Sequence, residues 1–113
     1  MNTQSIERDE VVFEYRAQQQ KSKHYIFTSD AGHGWLRVLK AELVTLGIAD
    51  KISNYSYCNG RYAYLEEDCD LELFLKAKGW KDREDFERFV TQRSVNDSII
   101  RSYDSYKFRR VAS

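Results

Sequence analysis

The chain has 113 residues, of which 42% are hydrophobic and 14% aromatic, and its 18 Lys and Arg balance its 18 Asp and Glu. This length predicts a single domain with one hydrophobic core. A zero net charge provides no long-range field for nucleic acid or an anionic membrane, and it argues against an acidic DNA mimic, which needs a surplus of carboxylates.

The cysteine count and the hydropathy pattern predict a cytoplasmic protein with no membrane partner. Two cysteines, Cys58 and Cys69, are too few for a disulfide scaffold, so we expect reduced thiols. No apolar run approaches the roughly 20 residues that span a bilayer, and the N-terminus lacks the apolar core of a signal peptide.

The N-terminal third predicts strands. Residues 1–10 are polar and predict a flexible N-terminus, and we expect the folded domain over 11–108. Two runs of β-branched and aromatic residues, 11–16 and 23–29, predict a hairpin. A glycine-framed loop follows, and then a third strand begins at Trp35.

Two helices are predicted by apolar residues at helical spacing, each followed by a glycine that ends the helix. The first covers 39–46 and stops at Gly47, and the second stops at Gly79. An apolar residue comes next in each case, Ile48 or Trp80, and such a residue commonly packs back onto the last turn.

A third helix is predicted from Asp82, an N-cap residue with Asp85 three positions later, to about Arg93. After residue 95 the pattern suits a helix better than an edge strand, although both readings stay open. A basic C-terminal tail is expected at 109–113.

The Asn59-Gly60 pair, flanked by alternating residues, predicts a hairpin with a type I′ turn. In that register Tyr57 lies opposite Tyr62, and four tyrosines share one face of the sheet: Tyr55, Tyr57, Tyr62 and Tyr64. The sequence thus predicts an α+β fold in which a small antiparallel sheet of three to five strands is covered by two or three helices.

An acidic cluster follows the hairpin directly. Its spacing does not match a calcium loop, which also requires a glycine. Carboxylates in the first turn of a helix cap backbone amides and favour the helix dipole, which is a structural explanation. The functional alternative is an acidic patch for a Lys-rich or Arg-rich protein surface. The cluster consists of Glu66, Glu67, Asp68, Asp70 and Glu72.

His33 is the candidate for chemistry, because it lies between two glycines, can titrate near neutrality and has Asp30 nearby in sequence. It supports one alternative function, a small hydrolase or transferase that uses His33 with a carboxylate. However, the sequence contains no nucleophile motif, phosphate loop or zinc-protease signature. The metal-capable residues His24, His33, Cys58 and Cys69 fit no zinc spacing, so we expect no metal and no cofactor.

Four blocks of the chain, at 27–36, 46–53, 55–57 and 64–70, carry a resemblance to a known group. The most specific are Gly-His-Gly-Trp within the first block and Tyr-Leu-Glu-Glu-Asp-Cys-Asp in the last. Together they resemble a group of small uncharacterised proteins of bacteriophages and mobile elements. This resemblance, over roughly residues 25–78, implies an accessory protein that acts by binding host machinery, including restriction and CRISPR systems.

We therefore expect a non-enzymatic, phage-type accessory protein that binds and inhibits or modulates a host protein in the cytoplasm of a bacterial cell. The predicted protein contacts are aromatic and acidic residues together with one histidine: His33, Trp35, Tyr55, Tyr57, Tyr62, Tyr64, Glu66, Glu67, Asp68 and Asp70. A further alternative is nucleic-acid binding through basic residues near the C-terminus: Arg101, Lys107, Arg109 and Arg110.

Overall fold

The structure is a computed structural model that describes residues 25–108. In these residues six strands form one sheet in the order β5-β1-β2-β4-β3-β6, in which only the β1–β5 pair is parallel. The α+β class is confirmed, but the expected three to five strands are too few, and the sheet is mixed where an antiparallel sheet was expected. The strands are β1 (Tyr25–Ser29), β2 (Gly34–Leu39), β3 (Tyr57–Asn59), β4 (Tyr62–Glu66), β5 (Val90–Ser94) and β6 (Asp104–Ser105).

Three α-helices accompany the sheet in the same part of the chain: α1 (Lys40–Thr45), α2 (Leu71–Lys78) and α3 (Arg83–Phe89). The predicted helix stops are confirmed. Gly47 has φ 75°, and the Ile48 N–H donates to the Leu43 carbonyl at 3.0 Å, which is a Schellman end. The second stop, Gly79, has φ 77° and closes α2 in the same way.

The third helix begins as predicted, because the Asp82 side chain accepts a hydrogen bond from the Asp85 N–H at 3.0 Å. Its predicted end near Arg93 is wrong. The backbone turns extended at Val90, with φ −117° and ψ 130°, and β5 then runs parallel to β1. The prediction of a helix after residue 95 is also wrong, because this segment holds only a short 3-10 helix (Ile99–Ser102) before β6.

The two faces of the sheet have different coverings. On one face Leu36 and Leu65 are fully buried in a core that also takes Phe74 of α2, and the ring of Phe27 lies 5.9 Å from that of Phe86 in α3. Alternation along the strands places Trp35, Arg37, Tyr57, Tyr62, Tyr64 and Glu66 on the opposite face. The segment around the 3-10 helix (Ile99–Ser102) covers part of this opposite face, where Arg101 lies over Trp35 and Tyr103 packs on Tyr64.

The hairpin forms, but its predicted register is wrong. Asn59 lies opposite Tyr62, so Gly60 and Arg61 make the turn, and Tyr57 lies opposite Tyr64. Type I′ and II′ turns both need a positive φ at the first turn position, and Gly60 adopts it at 62°. Consequently three tyrosines of the expected four share the sheet face, and Tyr55 precedes the strand.

Several expectations lie outside the described residues: the flexible 1–10, the strand at 11–16, His24 and the basic tail at 109–113. Between residues 25 and 108, no helix combines the length and the apolar character needed to cross a bilayer.

Candidate functional site

Six of the ten predicted contact residues converge on one concave pocket of about 250 Å³ on the polar face of the sheet. We call it the acidic-aromatic pocket. It is lined by His33, Trp35, Tyr55, Tyr57, Glu66 and Asp68, and in addition by Cys69 and Arg101.

Strand register brings the aromatic and acidic parts of the pocket together. Trp35 of β2 lies directly opposite Glu66 of β4, and Tyr57 lies on the neighbouring strand β3. Trp35 is only 2% exposed and its ring centroid is 6.3 Å from that of Tyr57, so these two rings form a packed wall of the pocket. Tyr55, outside the strand, is 69% exposed and forms part of the rim.

The loop that carries His33 is held by Asp30. One Asp30 carboxylate oxygen accepts the N–H groups of Gly32 and His33, both at 3.1 Å. The Arg101 guanidinium binds both oxygens at 2.9 Å, and this pairing holds the pKa of Asp30 well below its usual range. The Asp30 side chain is 2% exposed. The Asp30–Arg101 ion pair therefore joins the loop that carries His33 to the 3-10 helix (Ile99–Ser102).

This use of Arg101 was missed by the sequence reasoning, which assigned the residue to nucleic-acid binding. Arg101 and Asp30 are 71 positions apart, so no local spacing signals the pair. The Arg101 guanidinium also lies 5.3 Å from the Trp35 ring centroid, over the ring. The positive charge of Arg101 is therefore already paired with Asp30 and with the face of Trp35. Of the other basic candidates, Lys107 is exposed, and Arg109 and Arg110 lie outside the described residues.

His33, Glu66 and Asp68 form a polar cluster at the pocket. His33 Nδ1 lies 3.0 Å from Glu66 Oε2, while Glu66 Oε1 accepts the Asp68 N–H at 2.9 Å. One ligand-type atom from each of the three side chains lies within 4.8 Å of the others. The Glu66 carboxylate is buried, whereas the His33 side chain is 46% exposed, so an incoming group can reach the pair.

The pocket offers little to a hydrolase. None of the described residues that line it is Ser or Thr, and its thiol is that of Cys69. The hydrogen bond to Glu66 raises the pKa of this exposed thiol, and slight desolvation and nearby carboxylates act in the same direction. Since the thiolate is the nucleophilic form, Cys69 is a poor nucleophile at neutral pH.

Asp70 is buried beneath the pocket instead of facing it, with 3% of its surface exposed. Its carboxylate accepts the Ser53 N–H at 3.0 Å, the Ser53 hydroxyl at 2.7 Å and the Ser56 hydroxyl at 2.5 Å. The Ser56 Oγ in turn accepts the Glu66 N–H at 2.9 Å. Asp70 precedes α2 but makes no side-chain cap there, and it anchors the loop that leads into β3 instead.

The remaining predicted contacts lie away from the pocket. Tyr64 packs on Tyr103, with ring centroids 5.1 Å apart. The Tyr62 ring faces the Arg37 guanidinium, whose Cζ lies 4.3 Å from the ring centroid. Glu67 is exposed and lines a different groove, on the helix-covered side. The sheet therefore separates Glu67 from the acidic-aromatic pocket, whereas Tyr62 and Tyr64 share the face of the pocket but do not line it.

Comparisons with known proteins assign no family to the chain. No family model matches it, and neither does any curated protein or solved structure.

Proposed function

We propose that this chain is a non-enzymatic protein that binds and modulates another protein, and that the acidic-aromatic pocket receives a Lys or Arg side chain of that partner. The observation that carries the proposal is the convergence of Tyr55, Tyr57, Glu66 and Asp68 on one concavity. Aromatic faces and carboxylates both attract cations, and tyrosine is enriched at protein interfaces.

The contacts that support the site favour the same function. Tyr57 and Glu66 belong to paired strands, and the Asp30–Arg101 ion pair holds the loop of His33. A preformed pocket reduces the entropy lost on binding. The setting in a phage or mobile element, and a restriction or CRISPR component as the partner, rests on the resemblance of the Gly-His-Gly-Trp and Tyr-Leu-Glu-Glu-Asp-Cys-Asp blocks.

The experiment uses the protein as bait in bacterial lysates, followed by affinity measurement with each purified partner. The variant Tyr55→Ala/Asp68→Lys should weaken binding by about tenfold or more, because it removes an aromatic contact and reverses a charge in the pocket. Glu84→Lys is the matched control, since this carboxylate is exposed on α3, outside the pocket. Equal loss in both variants, or loss in neither, would refute the site.

The alternative of a small hydrolase or transferase keeps one supporting observation, the 3.0 Å contact between His33 Nδ1 and Glu66 Oε2. A histidine oriented by a carboxylate is the arrangement of a general base. The raised pKa of Cys69 argues against a covalent mechanism, so the base would have to activate water. A His33→Ala variant that keeps the full biological effect would eliminate this alternative.

A further inference from the structure

We infer that His33, Glu66 and Asp68 form a binding site for a divalent transition-metal ion of the zinc type. The ligands would be His33 Nδ1, Glu66 Oε2 and one carboxylate oxygen of Asp68. One imidazole and two carboxylates suit zinc and its neighbours better than Mg²⁺ or Ca²⁺, which prefer oxygen ligands alone. Three protein ligands also leave a coordination position open to water.

The distances fit such an ion. Two ligands at about 2.0–2.1 Å from a tetrahedral centre lie about 3.3 Å apart. His33 Nδ1 and Glu66 Oε2 are already 3.0 Å apart, and all three ligand atoms lie within 4.8 Å of one another. The remaining adjustment falls on Asp68, whose exposed side chain can rotate. Small movements therefore complete the site.

The surroundings hold the ligands in place. Asp30 fixes the backbone of His33, and Glu66 is fixed by its strand pairing and by the N–H of Asp68. Such supporting contacts orient metal ligands. The nearby cation, Arg101, is paired with Asp30, so its charge is already balanced.

A second and independent observation comes from Trp35, which lines the same pocket. Its Nε1 is buried and has no hydrogen-bond partner among residues 25–108. Buried donors usually have an acceptor, and an unmatched one calls for an explanation. Because this Nε1 is shielded from solvent, a water carried by the metal ion would become its acceptor only after a small shift of the side chains around it.

The test uses the full chain after treatment with a chelator and dialysis, titrated with Zn²⁺ by calorimetry. One ion per chain is expected. Glu66→Gln/Asp68→Asn should weaken binding by more than tenfold, because it removes two anionic ligands. The matched control is Glu67→Gln, which alters a neighbouring carboxylate outside the ligand set and outside the pocket and should bind like the original protein.

Titration with Co²⁺ provides a readout of the ligands themselves, since the visible absorption of bound Co²⁺ reports its coordination. His33→Gln should change this spectrum, and circular dichroism checks that each variant is folded. Substoichiometric Zn²⁺ binding would overturn the inference. So would equal loss of affinity in Glu67→Gln and in Glu66→Gln/Asp68→Asn, because that would indicate a nonspecific acidic surface.

The metal inference does not rest on the proposed protein-binding function, since it is measured on the protein alone. The two proposals meet at Glu66 and Asp68, which cannot neutralise both a metal ion and a partner's side chain. If both hold, Zn²⁺ lowers the affinity for the protein partner, and a chelator restores it.

Discussion

Replacing Gly34 with alanine should destabilise the fold through steric overlap alone. The residue is buried at the start of β2, and its φ lies outside the positive range, so alanine can adopt its backbone conformation. A Cβ placed there would lie 3.0 Å from Phe27 Cε2, closer still to Phe27 Cζ, and 2.9 Å from Glu67 Oε1. Carbon atoms in favourable contact are about 3.5–4.0 Å apart. The Phe27 ring must therefore move.

The ring has limited room, because its outer side packs against Phe86. Overpacking of this kind costs about 1–3 kcal/mol. For a domain of this size the loss corresponds to a fall in Tm of roughly 5–15 °C. Urea unfolding followed by circular dichroism measures the free energy of unfolding, and a thermal scan measures Tm.

Gly32→Ala is the control from the same loop. Its Cβ would meet only Arg101 Nη2, at 3.3 Å, the far end of a flexible side chain. We expect a loss below about 1 kcal/mol, as for most surface substitutions. If Gly34→Ala were as stable as the original protein, or if Gly32→Ala lost as much, close approach to Phe27 would not be the reason for a glycine at position 34.

Two further predictions concern buried polar groups. Ser56→Ala should lower the free energy of unfolding by about 1–3 kcal/mol in urea titrations, because it leaves the Glu66 N–H without its acceptor and removes one donor to buried Asp70. Stability should also fall as pH rises above about 10. Burial raises the pKa of Tyr25. Burial alone would lower the pKa of Lys78, but hydrogen bonds to Glu42 and Tyr25 outweigh this effect and raise it. The folded state thus favours both protonated forms, and Tyr25→Phe should reduce the alkaline loss.

Local signals predicted the ends of the first two helices and the start of the third. Gly47 and Gly79 stop their helices because a left-handed residue after the last turn is a local requirement, satisfied within six residues. The Asp82 cap is equally local. In these three cases every atom of the motif is near in sequence, so the pattern alone carries the information.

Non-local pairing explains most of the errors. The residues from Val90 onward leave the helical pattern because β5 finds a parallel partner in β1, which lies more than 60 residues earlier. Parallel pairing leaves no turn signature in the sequence, since its partners are joined by a long crossover. The contact between Asp30 and Arg101, across 71 positions, was unpredictable for the same reason.

The acidic run shows how position in the fold, not spacing, assigns a role to each carboxylate. Glu66 is the last residue of a strand and faces His33, whereas Asp70 turns inward to the hydroxyl of Ser56. Between them Glu67 and Asp68 occupy a turn, and they line different cavities. Composition could locate an acidic surface, but only the turn between β4 and α2 determines which carboxylates meet in the pocket. A charge reversal across the whole run would therefore damage folding and binding together, and single substitutions at Asp68 are needed to separate them.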